Sequence, residues 1–272
     1  MTDYSPADPF APLIDLLTKI RSSGREVNIH PELHLPPTEN SGWLTAAQLA
    51  DPAQPWLGEM VERTAVNLGT TRQIAASLAW KRYSYWVIFL VVIGWTLNRR
   101  VPLLDAQHLC VRFSQQAEYP EVAVVDGVAA VLPDDSLAGP SSIVVVESPA
   151  ALLSLARQHL IERHLAAVAA ALHRLTGVSE RLLWCTVAAA MVQPLLLIQS
   201  FLPNHPVAEA PALLKGIGSE FIDLVELHIT DKGSRAETLE LRRKTCCLAR
   251  KVPGINPCSA CPLSNVRSAG VT

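Results

Sequence analysis

A chain of 272 residues that is 49% apolar and 18% charged can bury a large core, which excludes a disordered or strongly solvated protein. Its formal charge is −2, and the acidic start Met1-Thr2-Asp3-Tyr4 has no basic stretch ahead of an apolar run, so neither a secretory nor a transit peptide is expected and the mature chain should begin near Met1. In a chain kept inside the cell the thiols stay reduced, and clustered cysteines then favour a metal or redox role over structural disulfides.

Phe10 to Arg21 repeats apolar residues at helical spacing and runs into Ser22-Ser23-Gly24, predicting a first helix with a stop. A Pro-rich loop is expected over His30 to Asn40, and Thr45, three residues before Gln48, predicts a capping box. Helices should dominate to about Asn98. Tyr83 to Asn98 is uncharged but shorter than the roughly 20 residues a membrane-spanning helix needs, so a buried helix is expected.

After Pro102 the character changes. Leu109 to Phe113 and Glu121 to Leu132 are rich in β-branched residues, and Asp126-Gly127 between Val122–Val125 and Val128–Leu132 is a two-residue hairpin signal. A small antiparallel sheet is expected, with Ile143 to Glu147 and Thr238 to Lys244 as further strands. Pro149 to Leu175 reads as helix, with Gly177 just past its end. A last helical run follows from Ser179 to about Phe201. Its uncharged stretch, Leu182 to Asn204, is long enough to span a bilayer but is interrupted by Gln193, Pro194 and Gln199, so at most peripheral attachment to a membrane is expected.

The expected fold is α+β, mainly helical with a small antiparallel sheet, as a single domain over 1–272. Its parts are a helical N-terminal portion (about 10–100), the sheet (about 108–147), a second helical portion (about 149–230), a C-terminal cysteine-rich cluster-binding segment (241–263) and a flexible tail (264–272).

That segment places Cys246, Cys247, Cys258 and Cys261 in the spacing C-C-x10-C-x2-C. Four thiolates complete one ligand set, and they are the soft, anionic donors that an iron–sulfur unit requires, so a [2Fe–2S] cluster is expected. Pro253-Gly254 and Asn256-Pro257 would turn the chain so that the second pair faces the first. From Leu241 onward there are six basic residues and no acidic ones, so the rest of the chain is net acidic. Among them, Arg242, Arg243, Lys244 and Arg250 would favour an anionic cluster, tune its potential, or dock an acidic electron donor.

A structural zinc site would also use four cysteines, although adjacent cysteines seldom both bind one tetrahedral ion. Disulfides suit an oxidising compartment better, and a nucleic-acid-binding tail would carry interleaved aromatics. Cys110 and Cys185 read as small buried hydrophobes. His159 and His164, five apart, make a poor metal pair on an α-helix and are expected at the surface or at caps; His228 has no evident role as a ligand. Gly216-Ile217-Gly218 lacks the third glycine of a dinucleotide loop, and no P-loop is present, so electrons must come from a partner. Trp80, Trp86, Trp95 and Trp184 are expected in the core rather than on a ligand.

The adjacent cysteines, the ten-residue spacer and the closing C-x2-C, preceded by Arg242-Arg243-Lys244-Thr245, resemble the signature of the FhuF-type ferric-siderophore reductase family. The Trp-rich apolar stretch from Trp80 to Trp95, the residues around Asp126-Gly127, and Leu182-Leu183-Trp184 extend the similarity; Leu248-Ala249 directly after the cysteine pair departs from it. The resemblance implies a mainly helical cytoplasmic protein, free or at the inner face of the membrane, that takes an electron from an external donor such as a ferredoxin or its reductase. It would use its cluster to reduce the Fe(III) of a siderophore, a hydroxamate by preference, with no nucleic-acid partner. An electron-transfer or redox-sensing protein without a chelate substrate, and a zinc-stabilised binding protein, are the other classes open to this sequence.

Overall fold

The computed structural model describes residues 8–34, 42–113, 120–140, 143–201, 206–232 and 235–263. The expected start at Met1, part of the Pro-rich loop and the tail 264–272 lie outside them.

The fold is α+β and mainly helical. Helix α1 (Ala11–Ser22) buries Leu13, Leu17 and Ile20, the apolar positions that predicted it. Thr45 and Gln48 form the reciprocal capping box at the start of the short α2 (Ala46–Ala50). Helix α3 (Trp56–Leu68) ends on Gly69 in the left-handed conformation and hands over to α4 (Arg72–Asn98). From Trp86 to Trp95 every residue of α4 is buried, which is why its apolar residues form no single stripe. Helix α4 packs against α7 (Glu180–Ile198), and the Trp80 indole N–H donates to the Leu183 carbonyl at 3.0 Å.

Gly94 makes the end of α4 possible. The chain folds back so tightly that the Arg100 N–H bonds to the Gly94 carbonyl at 3.2 Å, and a Cβ at Gly94 would meet the Arg100 carbonyl oxygen at 2.3 Å. Arg99 takes the left-handed position that a glycine usually fills. Its guanidinium lies 4.3 Å over the Trp95 ring and pairs with Glu209 at 2.7 Å, which fixes the corner.

The strands do not form one antiparallel sheet. The Pro-rich stretch expected as loop contributes β1 (Ile29–His34), which pairs in parallel with β5 (Glu121–Val124). With β2 (Leu44–Thr45) and β4 (Leu109–Arg112) they form a mixed sheet in the order β1-β5-β4-β2. Beyond Asp126-Gly127 the chain leaves that sheet: β6 (Ala129–Val131) sits between β3 (Val101–Pro102) and β7 (Ile143–Val145) in a second sheet. The dipeptide is thus a switch between sheets and not a hairpin. Asp126 has φ of 48°, and a Cβ on Gly127 would strike the Phe10 ring at 2.8 Å, so both residues serve the turn, but toward α1 rather than toward a partner strand.

The helix expected over Pro149 to Leu175 forms as α5 (Pro149–Ala156), a π-helical segment (Arg157–Leu165) and α6 (Ala166–Thr176), closed by Gly177 at φ of 67°. The π segment corrects the reading of its histidines. Bonds of the i→i+5 type bring residues five apart onto one face, and His159 and His164 both reach the loop at Leu104-Asp105. His164 is fully buried, with Nδ1 donating to the Leu104 carbonyl at 3.0 Å and Nε2 accepting from the Tyr83 hydroxyl. His159 Nδ1 lies 2.9 Å from Asp105 without hydrogen-bond alignment. Neither is a surface or capping residue; His173, in the last turn of α6, bonds the Val178 carbonyl just beyond that helix at 2.8 Å.

Helix α7 is, by length and composition, able to cross a membrane, yet 72% of its apolar window is buried inside the fold, as a core helix would be. After α8 (Ala210–Ile217), the chain enters the hairpin β8 (Val225–Lys232) and β9 (Arg235–Arg243), whose last residues deliver the cysteine segment.

Candidate functional site

The cysteine segment is attached to the body at both ends. At the end of β9, the Arg243 N–H donates to the Ala260 carbonyl and the Lys244 N–H to the Leu224 carbonyl, each at 3.0 Å. The first contact draws the C-terminal turn back over the strand. Between these points Leu248 adopts a left-handed backbone at φ of 65°, and Gly254 at φ of 79° completes the expected turn after Pro253. Cys261 N–H bonds to the Cys258 carbonyl at 3.0 Å, closing the C-x2-C turn.

The first pair divides. Cys247 is buried with Leu78, Ala249 and Val252, with Ile255 and Cys258 against them, while Cys246 is half-buried and accepts the Leu248 N–H on its sulfur at 3.3 Å. Ser77 of α4 donates to the Cys247 carbonyl at 2.9 Å. The Cys247 and Cys258 sulfurs stand 3.7 Å apart. Thiolates bound to one tetrahedral metal at about 2.3 Å are separated by about 3.75 Å, so this pair already has the spacing of two ligands on one ion. Cys261 is buried, and among the described residues no group of three or more Cys, His, Asp or Glu is drawn together as a metal site. The folded loop therefore pairs one cysteine from each half of the motif and does not close the four-sulfur set. No disulfide forms among the described residues.

The surroundings suit an anionic group. The hydrogen bond from Cys258 holds the Cys247 thiol below its ordinary value, helped by Lys81, the Ala249 N–H and Arg243, while the same bond and burial push Cys258 up. The two titrate as a pair that gives up its first proton readily and its second reluctantly. Arg243 is buried, with a terminal nitrogen on the Thr186 hydroxyl, and its Nε has no hydrogen-bond partner; the buried Thr245 hydroxyl has none either. Buried donors left unmatched beside the cysteines are what a sulfide- and thiolate-bearing cluster could accept. Soft donors, the spacing of one pair and these spare donors fit an iron–sulfur group.

Of the basic residues singled out in the sequence, Arg242, Lys244 and Arg250 are exposed, as docking requires. Arg243 is not, so it can act on the site only from within. Cys110 and Cys185 are both buried, Cys185 Sγ against the Leu224 carbonyl at 3.0 Å. Trp80, Trp86 and Trp95 are buried and Trp184 is half-buried against Phe221, in line with core roles.

Two cavities flank the C-x2-C turn and share Leu196 and Ser259. One, of about 550 Å³, is lined by Cys258 with Lys81, Arg82, Tyr85 and Trp86 of α4. The other, of about 380 Å³, is lined by Cys261, Arg242 and His228. The α4 wall escaped the sequence reading although a signal was present: Lys81-Arg82 is a pair of cations directly ahead of the uncharged run Tyr83 to Asn98.

The helical α+β body presents a close pair of thiols from a basic C-terminal loop. Residues 78–196 match the model of the family described as "Ferric iron reductase FhuF-like transporter". The resemblance first seen in the cysteine motif is thereby met on a separate stretch, from α4 through β3–β7 to α7, which is less than half of the chain. The match ends before the cysteines and so does not extend to them. No curated protein matches the chain. Two solved structures are similar to parts of it, both aerobactin synthetases from a hypervirulent pathotype of Klebsiella pneumoniae. IucA is 20% identical over 60% of this chain and 30% of its own, with a TM-score of 0.46. IucC is 16% identical over 70% of this chain and 32% of its own, with a TM-score of 0.45. The chain thus spans about a third of the solved proteins it matches.

Proposed function

We propose that this protein is a cytoplasmic ferric-siderophore reductase, working free or at the inner face of the membrane. The FhuF-like match supports a siderophore-related iron reductase. The observation that carries the finer reading is the 3.7 Å approach of Cys247 and Cys258 beside buried, unmatched donors at Arg243 and Thr245.

Cys246, Cys247, Cys258 and Cys261 would hold a [2Fe–2S] cluster, which when bound supplies one-electron redox chemistry. The chain's own residues do the rest. Burial of Cys247 and Cys261 limits water at the site, and Arg243 adds fixed positive charge that favours the electron-rich state. Arg242, Lys244 and Arg250 form an exposed basic face for an acidic donor protein such as a ferredoxin or its reductase. In the net reaction the donor gives one electron and the Fe(III) of the siderophore takes one. Hard hydroxamate oxygens hold Fe(II) far less well than Fe(III), so reduction releases the metal.

The test is an anaerobic titration of the chemically reduced protein with a ferric trihydroxamate, followed in the visible and with a ferrous chelator. Stoichiometric reoxidation with Fe(II) released is the expected result. Reoxidation by oxygen but not by the chelate would make the protein an electron-transfer or sensing protein instead.

A further inference from the structure

We propose that the cavity between Lys81, Arg82, Tyr85 and Trp86 of α4 and the Cys258–Ser259 turn binds the iron chelate, taken as an acceptor-rich complex of zero or small negative charge. This rests on the reductase reading above and assigns the place of its substrate.

Size, chemistry and position agree. A volume of about 550 Å³ lies within the range of roughly 300–1,000 Å³ that holds organic ligands. A hydroxamate or similar chelate presents its metal-binding oxygens as acceptors and has few donors. The wall is made the opposite way: an ammonium, a guanidinium, a phenol and the amides of Asn28 and Asn256 can donate, and Glu26 is the one carboxylate among the described lining residues. Tyr85 and Trp86, whose rings meet edge to face at 4.9 Å, add apolar surface for the ligand's carbon skeleton. On α4, Lys81 lies four residues before Tyr85, and Arg82 lies three and four residues before Tyr85 and Trp86, spacings that make these side chains neighbours on the helix surface.

Position gives the cavity its purpose. Cys258 lines it directly, whereas Cys247 is buried behind. Lys81 acts electrostatically on both thiols, so one cation serves the cavity and the cysteine pair together. A chelate seated there lies against Cys258, one of the thiols that would hold the cluster, so that one electron could reach Fe(III) with no bond in the chelating ligand broken.

The test uses a neutral gallium(III) trihydroxamate, whose metal cannot take the electron, added to the full-length protein and followed by calorimetry and by tryptophan fluorescence through Trp86. Saturable binding is expected in the wild type. Arg82→Glu should weaken it by about tenfold or more, and Ser259→Trp, placed at an exposed site to fill the mouth, should do the same with unchanged thermal unfolding. No binding by the wild type, or equal binding by both folded variants, overturns the assignment. If equal binding accompanies intact ferric-chelate reduction, the cavity is wrong and the reductase reading stands. If the variants bind weakly but the anaerobic protein contains no iron or sulfide, the cavity stands and the reductase reading fails.

Discussion

Ser77, on the first half of α4, donates its buried hydroxyl to the main-chain carbonyl of Cys247 at 2.9 Å across 170 residues of sequence. This bond ties the cysteine loop, at the residue whose sulfur stands 3.7 Å from that of Cys258, to the long helix α4 of the body. The loop is therefore positioned by the core, and core substitutions should be felt at the sulfurs.

Ser77→Ala tests that link. The Cys247 carbonyl would lose its partner, a cost of about 1–3 kcal/mol for a buried acceptor. The melting temperature should fall, and the Cys246–Cys258 loop should exchange its amide hydrogens faster than α4 does. Uniform exchange throughout the chain would show instead that the loop is not separately anchored.

Arg243→Gln should lower the midpoint potential of the metal-loaded protein, because a fixed positive charge that favours the reduced state is removed. The loss of its bond to Thr186 should cost about 1–3 kcal/mol in stability as well. Redox titration and chemical denaturation measure the two effects separately. Lys244→Gln, at an exposed position, should change donor turnover and its salt dependence with little effect on stability.

Acid should weaken the fold through His164. Burial, opposed by its bond to Leu104 and by Asp105, lowers it from the ordinary 6.5 to about 4, so the folded state keeps it neutral. Its stabilising contribution is complete above about pH 6.5 and is lost as pH falls toward 4, by about 3 kcal/mol at the low end. Denaturation between pH 7 and pH 4 should show that slope, and His164→Gln should flatten it. Tyr83→Phe, which removes the donor to His164 Nε2, should destabilise by about 1–3 kcal/mol at neutral pH.

Gly94→Ala should destabilise by about 1–3 kcal/mol or more, because the added carbon meets backbone and not a movable side chain. An unchanged melting temperature would show that the α4 corner relaxes freely.

Much of this was legible in the sequence where the signal is local. Thr45 with Gln48, Gly177 after the long helix, and the α1 stop all depend on residues within a few positions, and each formed as expected. Asp126-Gly127 correctly marked a turn, but which strand β6 meets next depends on β3 and β7, which no two-residue signal encodes. Strand β1 was hidden because a parallel edge partner distant in sequence can hold a Pro-containing stretch extended. The places of His159 and His164 were not legible because nothing local in the sequence marks Arg157–Leu165 as π-helical, and α-helical spacing sets residues five apart on different faces. The four cysteines were visible as a spacing, from which the fold brings Cys247 and Cys258 together. The Lys81-Arg82 wall and Ser77 were not, since only folding brings α4 to the loop.

The most direct measurement is the metal content and spectrum of anaerobically prepared protein, wild type beside Cys258→Ser. The account predicts iron and acid-labile sulfide in equal amounts, visible absorption that bleaches on one-electron reduction with appearance of a paramagnetic signal, and loss or alteration of all of these in Cys258→Ser. A colourless protein with bound zinc and neither iron nor sulfide would contradict it.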